Sequence, residues 1–178
     1  REQILSPCQA IGKLLVWDSC DSAAWDKLYK VKLFKGRRYP FGVLHEDLNF
    51  TSKLFSESDK IVLTGMPLYN YLIRENSICN KPFTTQKFDI YEQAKLNCQF
   101  VRDTYKELEE KAKYFLFRCT CTLLQSASDA AQISEKDLKR VKELARTQLS
   151  TAILNRFVPL GERKYYFELL YKVCIKKK

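Results

Sequence analysis

Glycine is scarce in this 178-residue chain, with five in all, and neither a GxGxxG nor a GxxxxGKS/T phosphate cradle occurs. Histidine is scarcer still. His45 stands alone, which excludes a multi-histidine metal centre and leaves one imidazole for acid–base chemistry. No Asp-x-Asp pair occurs anywhere. No run approaches the roughly 20 apolar residues of a membrane span, and no segment is low in complexity, so transmembrane bundles, collagen and disorder are set aside. The seven cysteines, at 8, 20, 79, 98, 119, 121 and 174, are odd in number and never in CxxC spacing. They read as buried free thiols in a reducing compartment. An opening Arg1-Glu2-Gln3 without methionine reads as a domain cut from a longer protein.

What is there suffices for a core. Hydrophobic residues make up 46% and aromatics 13%, enough for one globular domain or slightly more. The net charge of +10 is uneven: residues 1–83 carry 12 Lys+Arg against 9 Asp+Glu, and residues 84–178 carry 19 against 12. Such a balance invites an anionic partner, a nucleic acid or a membrane surface.

Ser6-Pro7-Cys8-Gln9 is a helix start, with a capping serine, proline at the first helical position and glutamine three residues after the cap. Ala10, Ile11, Leu14 and Leu15 share a face, so residues 7–16 should form a short helix, followed by a turn at 18–22. A second helix is expected over His45–Ser56, with Leu48, Thr51, Leu54 and Phe55 at helical spacing. Lys60–Thr64 and Leu68–Ile73 read as short strands, too few to close a domain. From Phe88 to Cys119 one long amphipathic helix is expected, from apolar residues recurring at three- and four-residue steps. Asp129–Ile133 is a linker. Leu138, Val141, Ala145, Leu149, Ala152 and Ile153 form the next stripe, and a last basic-aromatic helix follows Pro159-Leu160-Gly161 to about Ile175.

The densest chemistry is Leu44-His45-Glu46-Asp47, two carboxylates beside the only imidazole at a helix start. Backbone N–H groups can hold one carboxylate ionised there, while enclosure tunes a neighbour to accept a proton. The same residues could equally serve only the helix dipole, with His45 as a cap. Trp25 beside Lys27 could stack a sugar or base while pairing a phosphate, or could be a half-buried aromatic strand with solvated lysines. Arg74, leaving the run Tyr69–Ile73, could clamp a phosphate.

Taken together, Ala-Trp-Asp-Lys-Leu-Tyr-Lys at 24–30, Tyr-Pro-Phe-Gly-Val-Leu-His-Glu-Asp at 39–47 and Pro-Leu-Tyr-Asn-Tyr-Leu-Ile-Arg-Glu-Asn-Ser-Ile at 67–78 resemble the family-2 glycosyltransferases, in particular bacterial enzymes of capsular and cell-surface polysaccharide synthesis. The resemblance covers roughly residues 5–80 by motif and extends to the C-terminus by helical character. It implies an α/β fold: the C-terminal half of a GT-A (Rossmann-like) glycosyltransferase domain over residues 1–83, then an all-helical region over 84–178. It implies transfer from a nucleotide-diphospho-sugar to a hydroxyl of a glycan or lipid-linked acceptor, usually with inversion. Asp47 takes the place of the base, with Glu46 as its neighbour and alternative. Trp25 would line the sugar or acceptor pocket, Lys27 and His45 would face the diphosphate, and Arg74 matches a basic position near phosphate.

The family usually has asparagine where this chain has Asp26. Its nucleotide-binding first half and Asp-x-Asp metal motif have no counterpart here, so the divalent metal (Mn or Mg) expected of such an enzyme would have its main ligands outside this chain. The fragment alone is expected to be inactive. The implied location is cytoplasmic, peripheral to the inner face of the plasma membrane through the aromatic-basic segment at 165–171. The competing reading is a basic helical interaction module, in which Lys139, Arg140, Lys142 and Arg146 meet an anionic membrane or nucleic acid. No recognition-helix turn or zinc site supports nucleic acid.

Overall fold

A computed structural model describes residues 2–72 and 82–175. In chain order the regular elements are β1 (Gln3–Leu5), α1 (Pro7–Leu14), α2 (Asp47–Ser56), β2 (Ile61–Leu63), α3 (Asp89–Thr104), α4 (Glu109–Asp129), α5 (Glu135–Arg146), α6 (Leu149–Leu154) and α7 (Leu160–Ile175). Short 3-10 turns lie at Val31–Phe34, Thr85–Phe88 and Lys106–Leu108.

The expected α/β architecture is overturned. The only sheet among the described residues is a two-stranded antiparallel ribbon, with Ile4 opposite Val62. No Rossmann-like parallel sheet is present among them, and the body is helical. Strand pairing is decided by a neighbour's hydrogen-bonding edge, which a single run of apolar residues cannot supply. The half-buried strand entertained around Trp25 is instead irregular chain ending in the 3-10 turn Val31–Phe34. Of the strand expected at Leu68–Ile73, residues 68–72 have no strand partner among the described residues, and Ile73 lies outside them. β2 finds its partner in β1, which the sequence reading passed over.

The start of α1 forms as its residues dictate. The Ser6 hydroxyl accepts from the Gln9 N–H at 3.3 Å, and the Gln9 side chain accepts from the Ser6 N–H at 2.9 Å. Gly12 lets α1 approach closely, because a Cβ there would lie 3.3 Å from Leu108 Cδ2. The Lys111 ammonium donates to the Gly12 carbonyl at 3.3 Å in the same contact.

The long stripe from Phe88 identifies the buried face correctly, but the helix breaks at Tyr105 (φ −135°, ψ 75°). Folding back packs α3 against α4, so that Val101 and Phe115 are both fully enclosed. A straight helix of about 48 Å could not bury one half of its stripe against the other. The next stripe breaks likewise after α5, and Ile153 on α6 is exposed. α4 is the central element, packed on α3, α5, α6 and α7.

One contiguous core runs through both the segment before residue 84 and the helices after it, from Ile11 and Leu14 to Phe117, Leu124 and Leu169. Tyr166 is fully enclosed, its ring against Phe117 and its hydroxyl donating to the Ala145 carbonyl at 2.6 Å. Arg163 donates to the carbonyls of Ile153, Asn155 and Val158, satisfying the frayed end of α6. Among the described residues no helix is long and apolar enough to cross a membrane.

Candidate functional site

The site grows out of a clamp on the first turn of α2. Lys27 spends its three donors on its own loop: Asp26 Oδ1 at 2.6 Å, the Ala23 carbonyl at 2.7 Å and Asp21 Oδ1 at 3.3 Å. Asp21 Oδ1 also accepts from the Ala23 N–H at 2.8 Å. These bonds bracket Ser22, which is buried. The Ser22 hydroxyl donates to Asp47 Oδ2 at 3.3 Å, and its carbonyl accepts from the Thr51 hydroxyl at 2.7 Å, one turn further along α2. The loop is thereby fastened to the helix at the carboxylate.

From the other side, His45 holds the turn into α2 in the left-handed region, at φ 58°. Such a conformation is rare for a residue with a Cβ and persists only where its surroundings impose it. Here they do. The Leu44 N–H donates to Asp89 Oδ2 at 2.9 Å, at the first residue of α3, and the His45 carbonyl accepts from the Leu48 N–H at 3.2 Å.

Asp47 is the first residue of α2 and is half-buried. Burial pushes its carboxyl above the ordinary carboxylate value, and the Glu46 charge pushes the same way. The Ser22 hydroxyl and the backbone N–H groups of Asp47 and Leu48 oppose them. Glu46 sits at the helix cap without a side-chain capping bond. His45 moves the other way: burial, then Lys87, holds its imidazole below the usual value, against the pull of Glu46 and Asp89. Burial thus favours the uncharged form of both the His45 imidazole and the Asp47 carboxyl. The hydroxyls of Tyr29 and Tyr39 are both enclosed and without a hydrogen-bond partner within bonding geometry. The Asp47 charge contributes to raising the Tyr39 phenol, after burial.

Trp25 lies at the surface of the same loop, 46% exposed, with Tyr69 4.4 Å and Tyr71 5.2 Å away between ring centroids. Residues two apart in extended chain share a face, so Tyr69 and Tyr71 reach the indole together. Arg74 lies outside the described residues. Of the site residues read from sequence, the structure therefore gathers Asp47, Glu46 and His45 at one helix start and ties Lys27 to them through Ser22. Lys27 already satisfies its ammonium within the loop. Ser22, Thr51, Tyr29 and Tyr39 escaped the sequence reading. Nothing local to Ser22 marks it, since its partners lie 25 and 29 residues away.

Among the described residues no three His, Cys, Asp or Glu side chains converge as a metal site. The divalent metal implied by the family resemblance has no ligand set among them.

One curated relative is similar over part of the chain. Glycosyltransferase GlyA of Streptococcus pneumoniae serotype 4 is 39% identical over 56 residues, which is 32% of this chain and 8% of that protein. The match therefore spans less than a tenth of the relative's length. No family model matches the chain, and no solved structure matches it.

Proposed function

We propose that this chain is part of a glycosyltransferase of the family-2 type, and that Asp47 is its base. Three motifs in order and the partial similarity to a glycosyltransferase support the class. The observation that carries the role is the desolvated carboxylate of Asp47, held by Ser22 at the start of α2 with its proton affinity raised. A base whose proton affinity is raised takes a proton more readily as the transition state forms.

In the proposed step, an acceptor hydroxyl oxygen attacks the anomeric carbon of a nucleotide-diphospho-sugar. Its proton passes to the Asp47 carboxylate, and the bond from the anomeric carbon to the diphosphate oxygen breaks, the electron pair leaving with the nucleoside diphosphate. In-line attack inverts the anomeric centre. Glu46 raises the basicity of Asp47 through its charge. Trp25, flanked by Tyr69 and Tyr71, offers an apolar surface for a sugar ring. Lys27 supports Ser22 rather than meeting the diphosphate directly. His45 fixes the turn.

The test uses the full-length protein, wild type, Asp47→Asn and Glu46→Gln, with a panel of nucleotide sugars and acceptors. Release of nucleoside diphosphate is followed alongside donor binding. The expected result is a fall of roughly 100-fold or more in Asp47→Asn with donor binding retained, and a smaller fall in Glu46→Gln. Equal turnover in wild type and Asp47→Asn contradicts the assignment.

A further inference from the structure

The loop between Leu28 and Phe41 has a composition that the transfer chemistry does not use. Three large apolar side chains stand fully out in solvent: Leu28 at 104% exposure, Val31 at 87% and Phe41 at 103%. The same stretch of chain carries Lys30, Lys32, Lys35, Arg37 and Arg38. Two of these cations have carboxylate partners, Lys32 with Asp59 at 3.7 Å and Arg37 with Glu57. Lys30, Lys35 and Arg38 have no acidic partner among the described residues; the Arg38 guanidinium donates to the carbonyls of Phe34 and Arg37. A hollow of about 550 Å³ opens at this place, walled by Tyr29, Val31 and Phe34 and rimmed by Lys32, Lys35 and Arg38.

We propose that this loop docks onto an anionic lipid bilayer, with the hollow taking a lipid phosphate between Lys35 and Arg38 while Leu28, Val31 and Phe41 enter the acyl boundary. Exposed apolar groups alone would fit many partners, and exposed cations alone would fit any polyanion. Exposed apolar side chains interleaved along one loop with the uncompensated cations Lys30, Lys35 and Arg38 match the boundary where headgroup phosphates meet hydrocarbon. The loop is supported from beneath, so insertion requires no refolding: Phe34 packs on Tyr29, Tyr39 and Phe50. This site differs from the C-terminal segment singled out in the sequence, where Tyr166, Leu169 and Val173 of α7 are committed to the core.

The experiment is vesicle co-sedimentation of the protein with phosphatidylcholine vesicles, with and without phosphatidylglycerol. Binding is expected on the anionic vesicles and to weaken as salt rises. Lys35→Glu/Arg38→Glu should lower partitioning by about tenfold or more, and Phe41→Ser by roughly tenfold. Tyr171→Ser on α7 should leave it unchanged. Circular dichroism verifies that each variant is folded. Absence of binding to anionic vesicles, as for a face covered by another polypeptide, overturns the proposal. So does binding that ignores the loop variants or follows Tyr171→Ser. Free inorganic phosphate competing as well as vesicles, with no need for Phe41, would also overturn it, since that describes a soluble anion site. None of these outcomes depends on transfer activity.

Discussion

The helices from α3 to α7 and the 32 residues between α1 and α2 solve different problems. The helices bury their stripes completely: Phe115, Phe117, Leu124 and Tyr166 are enclosed, and even the Tyr166 hydroxyl has a carbonyl to donate to. The loop segment leaves Leu28, Val31 and Phe41 in water. It also contains Trp17, Ser19 and His45, the non-glycine residues at positive φ among those described. Strain and exposure collect where the candidate chemistry lies, and the helical body holds them in place. Asp89, at the start of α3, makes that link directly through the Leu44 N–H.

The comparison is broken most forcefully in the helical body. Phe115→Ala should cost about 3–5 kcal/mol, because the ring is fully enclosed on the central helix. Denaturant titration would register that loss, whereas Leu28→Ala in the loop should shift the midpoint by less than about 0.5 kcal/mol. Tyr166→Phe should cost about 1 kcal/mol by the same titration, removing the buried hydroxyl's bond to the Ala145 carbonyl, which keeps the Gln148 N–H.

At the site the sign reverses. Asp47 has its proton affinity raised by folding, so stability from this group is fullest below 3.8, its ordinary value, and declines as pH rises through the higher folded value. Asp47→Asn should therefore be at least as stable as wild type at neutral pH, while transfer falls. A melting temperature well below wild type would contradict this.

His45 gives the smallest effect, legible chiefly in its pH dependence. Its imidazole is depressed by folding, so the stability it supports is present above 6.5 and lost as pH falls from there toward the lower folded value. Asparagine tolerates the left-handed turn. His45→Asn should remain within about 0.5 kcal/mol of wild type at neutral pH and flatten the decline in melting temperature below pH 6.5.

Which parts were legible follows from how local their causes are. The Ser6 capping box spans only the four residues from Ser6 to Gln9, and it forms. The Phe88–Cys119 stripe named the right buried face, because its period is local. Its break at Tyr105 was not legible, since tertiary packing selects it. The α/β expectation failed for the same reason: over its described residues 68–72, the strand expected at Leu68–Ile73 finds no partner edge among the described residues. Of the site, the dense His45-Glu46-Asp47 run stood out unaided. Ser22 and Thr51 did not, because only the folded loop brings them to Asp47.

The most direct test is a carbon-13 NMR titration of the Asp47 side-chain carboxyl, assigned with Asp47→Asn and repeated in Ser22→Ala. The account expects a midpoint above the ordinary 3.8, moving higher still when the Ser22 donor is removed. A midpoint at or below 3.8, unmoved by Ser22→Ala, would mean that Asp47 is a solvated helix-start carboxylate and not a base held ready.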